Sequence, residues 1–143
     1  TIIETFDDQA NTATSYSAGS FTGVNSQAWD YTDTRWDQKI NNSTGWLTRT
    51  GYLKTTLTSG LSKISFDYVR AFTGTGARGF VIEVSTDGGT NWETIDTITV
   101  DPNSNDVQTY SKEGLTYKGT VVLRITGTGA QKLLDNLSYT SNP

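Results

Sequence analysis

Three segments of this chain alternate apolar and polar residues with a period of two. Ile64, Phe66 and Tyr68 alternate with Ser65, Asp67 and Val69, and the same spacing returns in Phe80, Ile82 and Val84 and in Val121, Leu123 and Ile125. That period fits a β-strand with one buried face and excludes a helix, whose apolar positions recur every three or four residues. The chain has 143 residues and no Cys, so the strands must find stability by burying those faces. Two stacked sheets do this economically, and the expected fold is an all-β, two-sheet antiparallel β-sandwich spanning residues 1–143 as one domain. Composition agrees: 26 Thr and 13 Ser stand beside 14 Gly and only 2 Pro, a mixture of strand formers and turn formers.

Gly, Asn, Asp and Ser clusters divide the chain into short strands at 1–6, 20–22, 28–33, 45–50, 52–57, 62–72, 94–100 and 106–111, with 7–18 as a polar loop. One segment is ambiguous. Ala130, Leu133, Leu134 and Leu137 have helical spacing, but Gly127 and Gly129 precede them and Ser138-Tyr139-Thr140 follow. An isolated helix this short is marginal, so a final strand is expected, with Leu133, Asp135, Leu137 and Tyr139 on one face.

The absence of Cys, Met and His removes thiolate and histidine catalysis and the usual zinc sites. Hard oxygen ligation of calcium or magnesium is what remains for a metal. Eleven Lys and Arg face fifteen Asp and Glu, a net charge of -4 that argues against nucleic acid or an anionic membrane as partner. No apolar run has the length of a membrane span. The opening residues Thr1-Ile2-Ile3-Glu4 lack the features of a signal peptide, so the expectation is a module excised from a larger secreted or cell-surface protein, acting as a monomer. Asp67, Glu83 and Arg124 lie opposite the core parity of their strands. Two paired carboxylates would be needed for a lyase or glycosidase; a solvated sheet face is the simpler reading, and no enzyme is expected.

Three motifs carry more information. Ser85-Thr86-Asp87-Gly88-Gly89-Thr90-Asn91-Trp92 matches the Asp-box pattern, a hairpin turn in which the carboxylate bonds backbone N–H groups and Trp92 folds back. It resembles the repeats of sialidase-type propellers, but a single copy excludes a propeller. Glu4, Asp7 or Asp8 at one end of the chain and Asp135 at the other are candidate ligands for a structural calcium pinning the termini; the alternative is an Asp135 that caps backbone N–H groups without metal. The third motif is aromatic. Trp29 and Tyr31 share a strand face and read as core, whereas Trp36 stands among Thr34, Arg35, Asp37, Gln38 and Lys39 and is expected to be exposed. In a sugar site Trp36 would be the stacking platform, with Trp46 or Tyr31 as a second ring. Arg35, Arg49 and Arg70 would bond hydroxyls, or anionic groups if the glycan is acidic.

The order of these pieces resembles a jelly-roll accessory domain of secreted Bacteroidetes proteins. The matching stretches are Glu4-Thr5-Phe6, Gly19 to Gly23, Trp29-Asp30-Tyr31 with Arg35, Ile64 to Phe72, and Leu134 to Tyr139. More distantly the chain is similar to calcium-containing carbohydrate-binding modules, which carry a Glu or Asp near the start and an Asp near the end. The resemblance implies a jelly roll, a structural calcium and polysaccharide binding on a sheet face or a loop rim. This chain has Asp135-Asn136 where those families usually show Asp-Asp.

Overall fold

The computed structural model describes all residues from Thr1 to Pro143. Thirteen strands run in chain order: β1 Ile2–Glu4, β2 Ser17–Thr22, β3 Ala28–Arg35, β4 Lys39–Ile40, β5 Ser43–Thr44, β6 Trp46–Thr48, β7 Tyr52–Leu57, β8 Lys63–Arg70, β9 Arg78–Ser85, β10 Glu93–Thr99, β11 Gln108–Lys112, β12 Val121–Gly129 and β13 Lys132–Thr140. The only helical element is one 3-10 turn at Val24–Ser26. The ambiguous C-terminal segment is a strand, because pairing with β8, β6 and β1 outweighs the local helical spacing.

All pairing is antiparallel, in the order β10-β9-β12-β7-β3-β6-β13-β8-β11, with β2 on β3 and β1 on β13. This ladder curls into two layers because β3 belongs to both. Trp29 to Tyr31 pair with β7, whereas Thr34 and Arg35 pair with β6. Between them Asp33 takes φ 46°, a left-handed turn that redirects the strand. Gly51 is required where the chain passes this bend: a Cβ there would lie 1.8 Å from the carbonyl oxygen of Thr32. At the far side the edge strands β10 and β11 are joined by Tyr110, whose hydroxyl donates to Asp96 Oδ2 at 2.8 Å.

The three alternating segments supply the main core, as the pattern required: Ile64 and Phe66, then Phe80, Ile82 and Val84, then Val121, Leu123 and Ile125 are buried in it. A second, smaller core lies outside the β13–β8 layer. There Ile40, Leu47, Val69, Ala71 and Leu133 pack together, with Tyr16 against them. The β4–β5 hairpin, Lys39 to Thr44, contributes Ile40 to this cluster.

Trp36, expected to be exposed, is buried. It is 3% exposed, with ring centroids 5.4 Å from Phe6, 5.2 Å from Phe21 and 5.3 Å from Tyr31. Its polar sequence neighbours point elsewhere, Arg35 and Asp37 pairing with each other, while its apolar partners arrive from β2, β3 and the turn after β1. Trp46 and Tyr31 are buried too. Trp46 donates its indole N–H to Thr34 at 2.8 Å and stacks on Phe80. None of the three rings expected to stack on a sugar is presented at the surface.

Candidate functional site

The rings that do reach the surface sit elsewhere. On the outer face of the β7–β12–β9 layer, the register aligns Asp30, Lys54, Arg124 and Glu83 in one row across four strands. Arg124 grips Glu83 with two hydrogen bonds, Nε to Oε1 at 3.2 Å and Nη2 to Oε2 at 3.0 Å. Thr126 adds a third donor to Oε1 at 3.1 Å. The ring of Trp92 covers Arg124, with the guanidinium carbon 3.7 Å from the ring centroid. On the neighbouring strand Lys54 lies over Tyr52 at 5.1 Å. Trp92, Tyr52, Arg124 and Glu83 are all half-buried, so each presents part of its surface to solvent.

The Asp-box hairpin places Trp92 there. Asp87 Oδ1 accepts the backbone N–H groups of Thr90 at 3.1 Å and Asn91 at 2.9 Å and the hydroxyl of Ser85 at 2.7 Å, while Oδ2 accepts the Asn91 amide. The Asn91 backbone bond, then Ser85, hold the Asp87 carboxyl well below the usual carboxylate range. Trp92 closes the turn by donating its indole N–H to the Gly89 carbonyl at 3.1 Å. The motif was legible in sequence as a hairpin. Its landing on Arg124 was not, since that depends on β9 pairing with β12.

The arginines singled out from the sequence gather on the other layer. Arg35 lies 5.4 Å from the ring of Tyr16 and 5.2 Å from that of Phe72, and Arg49 lies 3.8 Å from Tyr16. Arg35 is held by Asp37 through two bonds at 2.9 and 2.8 Å, and Arg49 by Asp33. Each arginine's hydrogen bond draws its partner carboxyl downward. Arg70 stands beside Phe72 with no carboxylate partner. Tyr16 and Phe72 thus surround the arginines where Trp36 and Trp46 were expected.

Asp67 and Glu83, the carboxylates that a lyase or glycosidase would have to pair, lie apart. Asp67 is on β8, bound by Thr109 at 2.8 Å and Asn136 at 3.0 Å, and Glu83 is on β9 in the opposite layer. The other carboxylate in the Glu83 row, Asp30, is three strands away, or about 14 Å at ordinary strand spacing. Glycosidase carboxylates stand about 5–9.5 Å apart.

Asp135 occupies a different setting from the one its parity implied. Pairing between β13 and β8 shifts register between Asp135 and Ser138, where Asn136 takes φ 50°. The bulge leaves Asp135 on the side of Leu133, away from Leu134, Leu137 and Tyr139 in the main core. The residue is nevertheless 0% exposed, and neither carboxylate oxygen has a hydrogen bond of good geometry. Burial pushes its carboxyl up to about 6, offset in part by Ser43 and the Asn136 N–H and reinforced by the charges of Asp7 and Asp67. The Ser43 hydroxyl lies 3.2 Å from the Thr5 carbonyl and 3.3 Å from Asp7 Oδ1. Asp135, Asp7, Ser43 and Thr5 therefore offer oxygens of the kind calcium takes, around a buried carboxylate with no partner. No three carboxylates gather at one point. Glu4 is buried and engaged with the backbone, accepting the N–H of Phe6 at 2.8 Å and of Val24 at 2.9 Å. A Cβ at Gly23 would lie 1.8 Å from Glu4 Oε1, so a side chain there would push this carboxylate from its place.

No family model and no curated protein matches the chain. Solved structures match it along nearly its whole length. The K1 cleaved adhesin domain of Lys-gingipain from Porphyromonas gingivalis W83 is similar with TM-score 0.61 and 13% identity, covering 99% of this chain and 98% of that one. The CBM22-2 xylan-binding domain from Paenibacillus barcinonensis Xyn10C is similar with TM-score 0.58 and 11% identity, covering 99% of both chains. TmCBM61, solved in complex with beta-1,4-galactotriose, gives TM-score 0.51 and 8% identity over 96% of this chain and 94% of that one. The fold is a β-sandwich jelly roll.

Proposed function

We propose that this chain is a non-catalytic carbohydrate-binding module of a secreted, multimodular protein, acting as a monomer on a polysaccharide. One observation carries the reading: on a sheet face open to solvent, Trp92 lies over an Arg124 locked to Glu83, with Tyr52 and Lys54 on the next strand. Aromatic rings stack on the C–H faces of sugars, and a fixed guanidinium–carboxylate pair offers hydroxyls both donors and acceptors at low entropic cost. The fold supports it, since a xylan-binding domain and a galactotriose-bound module share it. Affinity electrophoresis in gels containing xylan or β-1,4-galactan tests the reading. Retardation that disappears in Trp92→Ala supports it, and wild-type protein that no polysaccharide retards overturns it.

An adhesive or structural accessory domain is the second reading. Burial of Trp29, Trp36 and Trp46 favours it, because a single half-buried tryptophan is a modest platform. A structural calcium belongs to either reading. In this proposal Asp135 and Asp7 hold the ion with the Ser43 hydroxyl and the Thr5 carbonyl, while Glu4 braces the adjoining turn from behind. The ion would neutralise a buried carboxylate and tie the loop after β1 to β13.

A further inference from the structure

Beside the second core, a cleft of about 380 Å³ opens between the β4–β5 hairpin and the loop that carries Asn105. Its walls include Phe72 and Val107, 39% and 38% exposed, two of the three large apolar side chains most open to solvent. A shared apolar lining of this kind, rimmed by polar groups, marks an interaction site. Phe72 holds φ 63°, an uncommon conformation for an aromatic residue. Its carbonyl accepts the Asn105 amide at 3.3 Å, and the Arg35 guanidinium backs its ring.

The charged groups lining this cleft are Arg70 and Lys39. Arg70 is braced from behind: Nε donates to Asn105 at 2.6 Å, and Nη1 donates to the carbonyls of Pro102 at 2.8 Å and of Thr73 and Gly74 at 3.3 Å. Nη2 makes no hydrogen bond. Neither Arg70 nor Lys39 belongs to an ion pair, in contrast to Arg35, Arg49 and Arg124. Behind Arg70, the buried Arg78 is likewise matched only to carbonyls, those of Gly76, Gln131 and Gly74. Asp101 and Asp106, in the same loop as Asn105, are exposed and do not line the cleft. In a chain of net charge -4, two cations and no carboxylate thus line one apolar-walled recess.

We propose that this cleft is an anionic-sugar subsite, separate from the Trp92 face. Arg70 Nη2 and Lys39 receive the carboxylate or sulfate of an acidic saccharide unit, and Phe72 takes the C–H face of its ring. Gln38 and Asn41, at the same rim, are placed for its hydroxyls. Planar guanidinium donors held in place suit an oxyanion, and Phe72 gives the recess its preference for a sugar over a free ion. The proposal rests on the carbohydrate-binding reading only in assigning the anion to a glycan.

The test is affinity electrophoresis against polygalacturonate and dextran sulfate, with neutral xylan and galactan run in parallel. Wild type is expected to bind at least one acidic polymer, with affinity falling as sodium chloride is raised. Binding of polygalacturonate alone identifies a carboxylate ligand, and binding of dextran sulfate alone a sulfate. Arg70→Gln and Lys39→Glu should each lower acidic affinity about tenfold or more, a loss of about 1.4 kcal/mol, and leave neutral binding unchanged. If Arg70→Gln does not fold, the exposed Lys39→Glu carries the test. Acidic polymers that fail to bind, or that bind both variants as well as wild type, overturn the proposal. Wild type that binds an acidic polymer but neither xylan nor galactan counts against the Trp92 face and leaves this proposal standing.

Discussion

Trp92 lies 3.7 Å over the guanidinium of Arg124, so a hairpin tip is clamped onto the strand layer beside it. The clamp joins an Asp-box turn, fixed by its own hydrogen bonds, to an arginine fixed by Glu83. Trp92→Ala is expected to lower stability by about 1 kcal/mol, the scale of a half-exposed cation–π contact. The same variant should lose about tenfold or more in glycan affinity. Urea unfolding alongside affinity gels separates the two effects, and unchanged affinity would remove Trp92 from the site.

Trp36→Ala should behave in the opposite way. Its ring fills a fully packed aromatic cluster with Phe6, Phe21 and Tyr31, so truncation costs about 3–5 kcal/mol. The midpoint of urea unfolding will show it, and a variant as stable as wild type would contradict the burial of this ring. Whatever fraction stays folded should bind glycan normally.

Calcium should stabilise the protein through Asp135. Ion present at a hundredfold excess over its Kd contributes about 2.7 kcal/mol, which raises Tm by about 5–10 °C in a chain of this size. Asp135→Ala should not respond to calcium at all. Asp135→Asn in chelator at pH 7 should exceed wild type by about 2 kcal/mol, because a buried charge without a partner is removed. Differential scanning calorimetry with and without chelator reads all three, and a wild type indifferent to calcium leaves Asp135 as an uncompensated carboxylate.

Lys132 makes stability depend on pH. Its side chain is fully buried, donating to the carbonyls of Thr128 at 2.7 Å, Ala130 at 3.0 Å and Arg49. Burial, reinforced by the charge of Arg78, pulls its ammonium down to about 7. The unfolded chain keeps the proton until about pH 10.4. Above pH 7 the unfolded state therefore binds more protons, and stability rises with pH. Between pH 7 and pH 9 the gain should be on the order of 2 kcal/mol, and Lys132→Met should flatten it. Guanidinium unfolding across that range is the measurement; identical slopes for the two proteins would refute the assignment.

Strand identity was legible because the main core alternates without interruption in Ile64 to Tyr68, Phe80 to Val84 and Val121 to Ile125. Alternation fails as a guide wherever a bulge intervenes. In β13 the shift at Asn136 moves Asp135 off the face of Leu137 and Tyr139, and the sole hint in the sequence is the asparagine, a residue that tolerates the left-handed region. Trp36 was misplaced for another reason: its partners Phe6, Phe21 and Tyr31 lie up to thirty positions away, so a local window sees only Arg35, Asp37 and Gln38. The surface rings were not legible because Tyr16 stands alone in polar sequence, Phe72 ends the strand expected over 62–72, and both acquire their arginines only through folding.

A strand shared by both layers gives the molecule one sewn side and one open one. At β3 the two sheets cannot part without breaking continuous main chain, while at the opposite margin β10 and β11 are joined by the Tyr110–Asp96 bond. Spontaneous breathing should therefore begin at that margin and die out toward β3, like a book opening away from its spine. Amide protons of β10 and β11 will exchange first and those of β3, β7 and β6 last. The Trp92 platform, in the turn just before β10, sits on the moving cover, whereas Asp33 and Arg49 sit at the spine.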